Sequence, residues 1–279
     1  MTMKNGIVRG MLMLLIGIAA IMVLIERLWP GQALPTVRGW WLRIALVNLV
    51  QLGLVILAGV TWDRWFASVS LLRLSDWLGD IPAALITYFV STFVYYWWHR
   101  VRHESAFFWK LCHQLHHSPR RIELLASFYK HPVEIFLNSV ISAALVYTLL
   151  GCSVKAAAIY TAFTAVAEYF YHWNIRTPHW LGRLIQRPES HRVHHQFKHH
   201  TQNYADLPLW DWMFGTLNNP KKSPARCGFT PTNERRVLEI LAFRDVHKVP
   251  PSISPTCFGC SKRWACAKSK GEQSQSALS

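Results

Sequence analysis

The chain has 279 residues, of which 51% are hydrophobic and 16% charged, with 14 tryptophans and a formal net charge of +15. A soluble globular protein carries about 25% charged residues, so this composition argues for lipid contact and against an ordinary water-soluble domain. The basic excess would suit nucleic acid on a soluble chain, but no nucleic-acid-binding motif accompanies it; beside apolar helices it suits a cytoplasmic face against anionic lipid.

Five apolar stretches follow in chain order, at 11–25, 44–61, 81–98, 133–150 and 154–173. The first is flanked by Arg9, Glu26 and Arg27, and no small-residue cleavage site follows it, which favours a span over a signal peptide. The last two are separated only by Gly151, Cys152 and Ser153, so they form an antiparallel helical hairpin. Each stretch is near the ~20 residues that cross a hydrocarbon core, the first being the shortest. Helices are expected, because an open sheet would leave backbone groups unpaired in lipid.

If all five cross, one side receives Lys4, Arg9, Arg64, Arg73 and Lys155, and the other receives the remaining 25 of 30 basic residues. The basic side should be cytoplasmic. It stays so if the 133–173 hairpin dips in and returns. The expectation is an all-α, multi-pass integral membrane protein with about four to five membrane helices and a cytosolic histidine-rich helical cap. Residues 1–80 supply N-terminal membrane helices, 81–220 the catalytic domain and 221–279 a partly disordered tail. In that tail, 234–243 suits one short helix, and Pro, Ser and Lys dominate from Val249 onward. Cys257, Cys260 and Cys266 there make a weak zinc pattern, without a fourth ligand at standard spacing. Tyr95, Tyr96, Trp97 and Trp98 suit an interface belt.

The chain holds 14 histidines, none before position 99. His99 and His103 are four apart in HRVRH. His113, His116 and His117 form HQLHH, and His191, His194 and His195 form HRVHH. Offsets of three and four put side chains on one helix face, so each cluster aims two or three imidazoles at one point. All three clusters lie on the basic side, beside the ends of apolar helices. Surface histidines or a pH switch are the plainer explanation, but neither calls for HxxHH twice plus HxxxH on one side. A metal site is expected. Imidazole suits zinc, copper, iron and nickel. One zinc takes about four ligands, so eight imidazoles suit two ions. Glu168, four residues before His172 inside the fifth stretch, is an intramembrane carboxylate. It would either hydrogen-bond His172 or sit paired between helices.

HRVRH, HQLHH and HRVHH resemble the three histidine boxes of the membrane fatty acid hydroxylase/sterol desaturase superfamily. FYKHPVE, with His131, Pro132 and Glu134, is similar to the segment after the second box. YHWNIRTP, with His172 and Asn174, is similar to the element before the third, and NYADLPLWDWMFGT at 203–216 to the segment after it. The resemblance covers roughly 81–217. It implies two iron ions, held by His99, His103, His113, His116, His117, His172, His191, His194 and His195. It further implies O₂, two electrons from a reductase or small redox protein, and hydroxylation or desaturation of a lipid C–H bond. Around the ligands, His131 would support or cap the hairpin entry, Asn174 would support the third box, and Asn203, Tyr204 and Asp211 would order the loop behind it. One departure stands out. The fatty acid 2-hydroxylase branch carries another histidine four residues after the one matching His172, and this chain has Arg176. His179, His199 and His200 are the available substitutes. Glu104 directly after His103 is closer to the alkylglycerol monooxygenase and bacterial desaturase-like branches. The rival of another class is a membrane metal transporter with a histidine-rich loop, and a bis-histidine haem protein is a second.

Overall fold

The computed structural model describes residues 2–250. The CxxC pattern and Cys266 lie outside the described residues. Among the described residues there is no strand, only an isolated bridge between Gln196 and Cys227.

Five long helices build the bundle: α1 (Thr2–Leu28), α2 (Trp40–Val60), α3 (Asp80–Glu104), α4 (Pro132–Ala143, continued by a π-helical turn over Ala144–Leu149) and α5 (Val154–His172). Their ends follow local chemistry. Pro132 takes the first-turn position of α4, where a missing N–H costs nothing, and His131 caps it by accepting from the Val133 amide at 3.1 Å. Ser153 caps α5 by accepting from the Ala156 amide at 3.1 Å. Between α4 and α5 the turn needs Gly151 at φ 66°; a Cβ there would collide with the Arg73 backbone.

Arg9–Leu28, Trp40–Phe66 and Pro132–Leu149 are long and apolar enough to cross a membrane. They expose large side chains such as Leu14, Ile16, Leu46, Leu49 and Ile56, as a lipid-facing surface requires. The expected spans α3 and α5 are less apolar. Their small and aromatic residues turn inward, and Ala83, Ala84, Ala156, Ala157 and Tyr160 pack with Leu145 and Val146 in one core.

A second core lies at the opposite end of the bundle and holds Trp40, Ile44, Leu115, Ala126, Tyr129, Phe229, Ile240 and Val246. It changes the reading of the C-terminal segment. The part of the tail from 227 to 246 packs against the second histidine box. Gln114 donates to the Arg244 carbonyl at 3.0 Å and accepts from the Val246 amide at 2.9 Å. The single helix expected over 234–243 is two short ones, Pro231–Glu234 and Val237–Leu241.

Candidate metal centre

Four helical ends meet at one side of the bundle. The last turns of α3 carry His99 and His103, and the end of α5 carries His172. The second box lies on a helical stretch that widens to a π-turn over Trp109–His113 and closes as Gln114–His117. The third box lies on α6 (Pro188–His194), which is buried along its whole length. The side chains that anchor this polar helix are bonded, as buried polar groups need to be, while its histidines keep unpartnered ring nitrogens. Glu189 accepts from the amide and hydroxyl of Thr177 at 2.8 and 2.7 Å. Arg187 donates to Asn219 Oδ1 at 2.6 Å, and Arg192 bonds the Ile122 carbonyl and Asn174 Oδ1.

The nine histidines singled out in the sequence gather into two groups. His99, His103, His113, His117 and His194 bring ligand atoms within 4.8 Å of one another, and His116, His172, His191 and His195 do the same. Each HxxHH box serves both groups. In the second box His113 and His117 enter the first group and His116 the second; in the third, His191 and His195 enter the second group and His194 the first. The groups adjoin, with the His117 and His195 rings stacked at 4.3 Å.

Hydrogen bonds fix the ring tautomers. A carbonyl can only accept, so a ring nitrogen bonded to one must carry the proton. His99 Nδ1 donates to the Tyr204 carbonyl at 2.7 Å, His194 Nδ1 to that of Gln202 at 2.7 Å, and His172 Nδ1 to that of Glu168 at 2.9 Å. His113 Nδ1 faces the Glu134 carboxylate at 3.2 Å. These four rings therefore present bare Nε2 lone pairs inward. In the first group His113 Nε2 stands 2.9–3.1 Å from the Nε2 atoms of His99, His103 and His117; in the second, His191 Nε2 stands 3.1 Å from those of His172 and His195. Nδ1 of His103, His116, His117, His191 and His195 and Nε2 of His194 are buried without partners. A neutral imidazole has one N–H, so protons cannot satisfy all the converging Nε2 atoms; a cation in each group would, with the ring proton of His103, His117, His191 and His195 on Nδ1. The donor set fits two metal ions of the kind imidazole binds. Burial first, and neighbouring cationic or imidazole groups second, hold His113, His116, His117, His191 and His195 well below the ordinary histidine value, and His194 at about 3. Neutral imidazole is the ligating form.

The supporting residues divide. Asp211 accepts from the amides of Tyr204 and Ala205 at 2.8 and 3.0 Å and from Thr216 at 2.7 Å, so it fixes the carbonyl that holds His99. Asn203 donates to the Ser190 and Asn218 carbonyls, both at 2.8 Å, and ties α6 to the following loop. Next to it Gln202 adopts a φ of 65°, unusual for a residue with a Cβ, and thereby turns its carbonyl to His194. Asn174 accepts from Arg192 at 2.9 Å. His131 caps α4 and meets the Leu241 carbonyl at 3.4 Å, without reaching the clusters. Of the two roles expected of Glu168, the structure shows the paired one. Its carbonyl, not its carboxylate, holds His172, and the carboxylate pairs with Lys130. Arg176 is exposed and donates to the Gly31 carbonyl at 3.0 Å, and His179, His199 and His200 stand outside both groups. The second group thus has four imidazoles against five.

Sequence reasoning missed three buried charges. Glu134 pairs with Arg102 and orients His113; it stood in FYKHPVE, an acid in the first turn of an apolar helix. Arg192 pins α6. Glu26 accepts from the Leu124 and Asn174 amides at 2.9 and 2.8 Å, clamping α1 to the loops around the site.

A cavity of about 330 Å³ runs from both groups into the bundle, with His99, His113, His116 and His191 at its inner end. Its exposed lining residues are Val55 on α2 and Thr161 on α5, so it opens at the height of the apolar helices. Another cavity of about 350 Å³, lined by His103, Trp109, His200 and His247, reaches the first group from elsewhere.

The fatty acid hydroxylase family pattern matches residues 84–216, a little under half of the chain, and together with the relatives that follow supports the fatty acid hydroxylase/sterol desaturase superfamily. The human (Homo sapiens) alkylglycerol monooxygenase is 30% identical over 152 residues, 52% of this chain and 33% of that protein. A Delta(7)-sterol-C5(6)-desaturase of Nicotiana tabacum is 29% identical over 174 residues, 59% of each chain. The ornithine lipid hydroxylase OlsE of Rhizobium tropici is 28% identical over 224 residues, 73% of this chain and 65% of that protein. The match spans about a third of the length of the alkylglycerol monooxygenases. No solved structure matches.

Replacing Asp211 by Ala should strand the amides of Tyr204 and Ala205 and loosen His99. Groups that orient a ligand typically contribute about 10–100-fold to metal affinity, and a loss in that range is expected in a chelator competition series. Unchanged affinity would remove Asp211 from the support of His99.

Proposed function

We propose that this protein is an oxidoreductase that oxidises a lipid in the membrane, by hydroxylation or desaturation, with two iron ions held by the nine histidines. The observation that carries this reading is the convergence of bare imidazole lone pairs in two adjoining buried groups, at the inner end of a cavity that opens beside Val55 of the apolar helix α2. Bound iron would supply what no side chain can: O₂ chemistry at an unactivated C–H bond, drawing two electrons from a reductase or small redox protein and two protons. The protein's part is positioning. The backbone carbonyls of Tyr204, Gln202 and Glu168 and the Glu134 carboxylate keep the protons of four rings on the outward nitrogen. Helix walls shield the cavity from bulk water and orient the lipid chain. The relatives' names support the lipid class, and hydroxylation and desaturation both occur among them.

The chain is proposed to be multi-pass, with the histidine side and the C-terminal segment in the cytoplasm. A cytoplasm-active reporter placed after Leu217 should work, and one within 66–76 should not; the reverse pattern refutes the orientation. The function is tested on the full chain purified from membranes. Close to two irons per chain is expected, together with an O₂-dependent product in lipid profiles of a complemented strain against a deletion strain. One zinc per chain and no O₂-dependent product would overturn the reading.

A further inference from the structure

Two segments flank the third histidine box and carry side chains that the metal centre does not use. A 3₁₀ turn (His179–Arg183) leads into α6, and a short helix, α7 (Pro208–Met213), follows it. The two pack against each other, and they and the residues next to the turn expose Trp180, Leu184, Ile185, Leu209, Trp212 and Met213. Trp212 is 69% exposed, Leu184 62% and Trp180 61%. Single exposed apolar residues are ordinary, but six on adjoining segments mark an interaction surface. The exposed charges beside them are basic, Arg176 and Arg183, while the acid of α7, Asp211, turns inward onto the Tyr204 and Ala205 amides.

The height of this surface is set by α3. Trp210 of α7 packs on Phe89 and Phe93, ring centroids 5.3 and 4.9 Å away, and donates to Thr92 Oγ1 at 2.8 Å. Phe214, just after α7, packs on Phe93, Tyr96 and Trp97. Phe93 and Phe89 precede His99 on the same helix, so at ~1.5 Å per residue they lie about 9 and 15 Å from it, toward the middle of the bundle. Leu85, Ile86, Phe89, Phe93 and Trp97 are exposed too, and at offsets of three and four they form a stripe along α3 that runs into the surface. Trp77, exposed just before α3 begins, marks the other end of the stripe. From Asp80 to Trp97 the helix measures about 26 Å, close to the ~30 Å thickness of a hydrocarbon core. The six apolar side chains therefore lie at the boundary between hydrocarbon and headgroups, the plane that tryptophan favours and where arginine meets anionic lipid. A water-soluble partner would have to enter the headgroup layer to reach them. Lipid is already there.

Hydrogen bonds tie both segments to the third box. The Gln186 amide donates to the Asp206 carbonyl at 3.0 Å, and the Gln186 side chain donates to the Asn203 carbonyl at 2.8 Å. Asn203 in turn donates to the Ser190 carbonyl at 2.8 Å. We propose that the face formed by Trp180, Leu184, Ile185, Leu209, Trp212 and Met213 is seated in the lipid interface on the histidine side of the bilayer, and that this seat holds α6, and with it His191, His194 and His195, in place. Neither part depends on the oxygenase reading.

The test uses the full chain in nanodiscs of phosphatidylcholine and phosphatidylglycerol. Cys257, Cys260 and Cys266 are replaced by Ser, and Cys112, Cys152 and Cys227 are buried, so a spin label can be placed by Leu184→Cys or Trp212→Cys alone. Collisions of the label with O₂, which concentrates in lipid, and with a nickel chelate, which stays in water, are compared with those of Leu49→Cys on α2 and Lys222→Cys in the loop beyond α7. The labels at 184 and 212 are expected to share the O₂ preference of the Leu49 label. The nickel preference of the Lys222 label at both positions overturns the seat. Shielding from both reagents, with dipolar broadening between labels, shows a second copy covering the face and overturns it as well. The hold on α6 is read by hydrogen exchange over 186–205. The pair Trp180→Ser with Trp212→Ser should speed it at least about tenfold, while α3 and α5 keep their protection. The pair Trp180→Phe with Trp212→Phe keeps apolar rings in the interface and should retain slow exchange. Serine and phenylalanine pairs that exchange alike, or a serine pair that loosens α3 and α5 equally, overturn the hold on α6.

Discussion

His113→Ala should cost more metal and more activity than any other single histidine substitution. Its Nε2 atom is the hub of the first group, 2.9–3.1 Å from those of His99, His103 and His117. Its removal takes away a direct bond, and the remaining rings keep converging lone pairs with a wider gap between them. Under the proposed function, the expected result is iron content falling from two per chain to one or less, with turnover down more than the ~100-fold upper range for groups that merely orient a ligand. Elemental analysis and product formation on the same preparation decide it. Two irons retained in His113→Ala would mean that the first group is not a metal site.

Glu134→Ala should produce the largest loss of stability. Glu134 is 0% exposed, and its partner Arg102 is 5% exposed. Removing one member of such a pair leaves a buried charge uncompensated, at a typical cost of about 3–5 kcal/mol. Replacing both, as in Arg102→Met with Glu134→Leu, removes both charges and should recover most of that loss, because apolar replacements of a buried pair are often neutral. The double variant should nevertheless bind metal poorly, since His113 Nδ1 has lost its acceptor. Thermal unfolding in detergent with parallel metal analysis separates the two effects. A single variant as stable as the double would mean that no buried charge had been stranded.

The nine histidines were legible because helical spacing is local: residues three and four apart share a face wherever the helix goes. Their division between two groups was not. His116 and His117, or His194 and His195, differ by about 100° of helical rotation, and which of them meets α3 and which meets α5 depends on how four helix ends pack. The supporting pairs were hidden for the same reason, since Glu134 and Arg102 lie 32 positions apart. Glu168 was open between two roles, and local spacing could not choose. Its place four residues before His172 suggested a side-chain contact, yet the imidazole reaches back along its own helix to the carbonyl, which frees the carboxylate for Lys130. In the C-terminal segment, a polar and proline-bearing composition masked the anchors Phe229, Ile240 and Val246, which pack against Leu115 of the second box.

The alternation of neighbouring histidines has a mechanical consequence. The peptide units joining His116 to His117 and His194 to His195 are rigid planes whose two ends belong to different histidine groups, and so to different metal positions under the proposed function. Filling one position freezes the backbone that aims the other, so the entropy of ordering both is lost once and shared. Loading should then be cooperative, with the half-filled protein scarce at every metal concentration. A deletion of one residue in either box could not be absorbed locally, because it would rotate every later ligand of that helix by about 100° and misdirect both positions together.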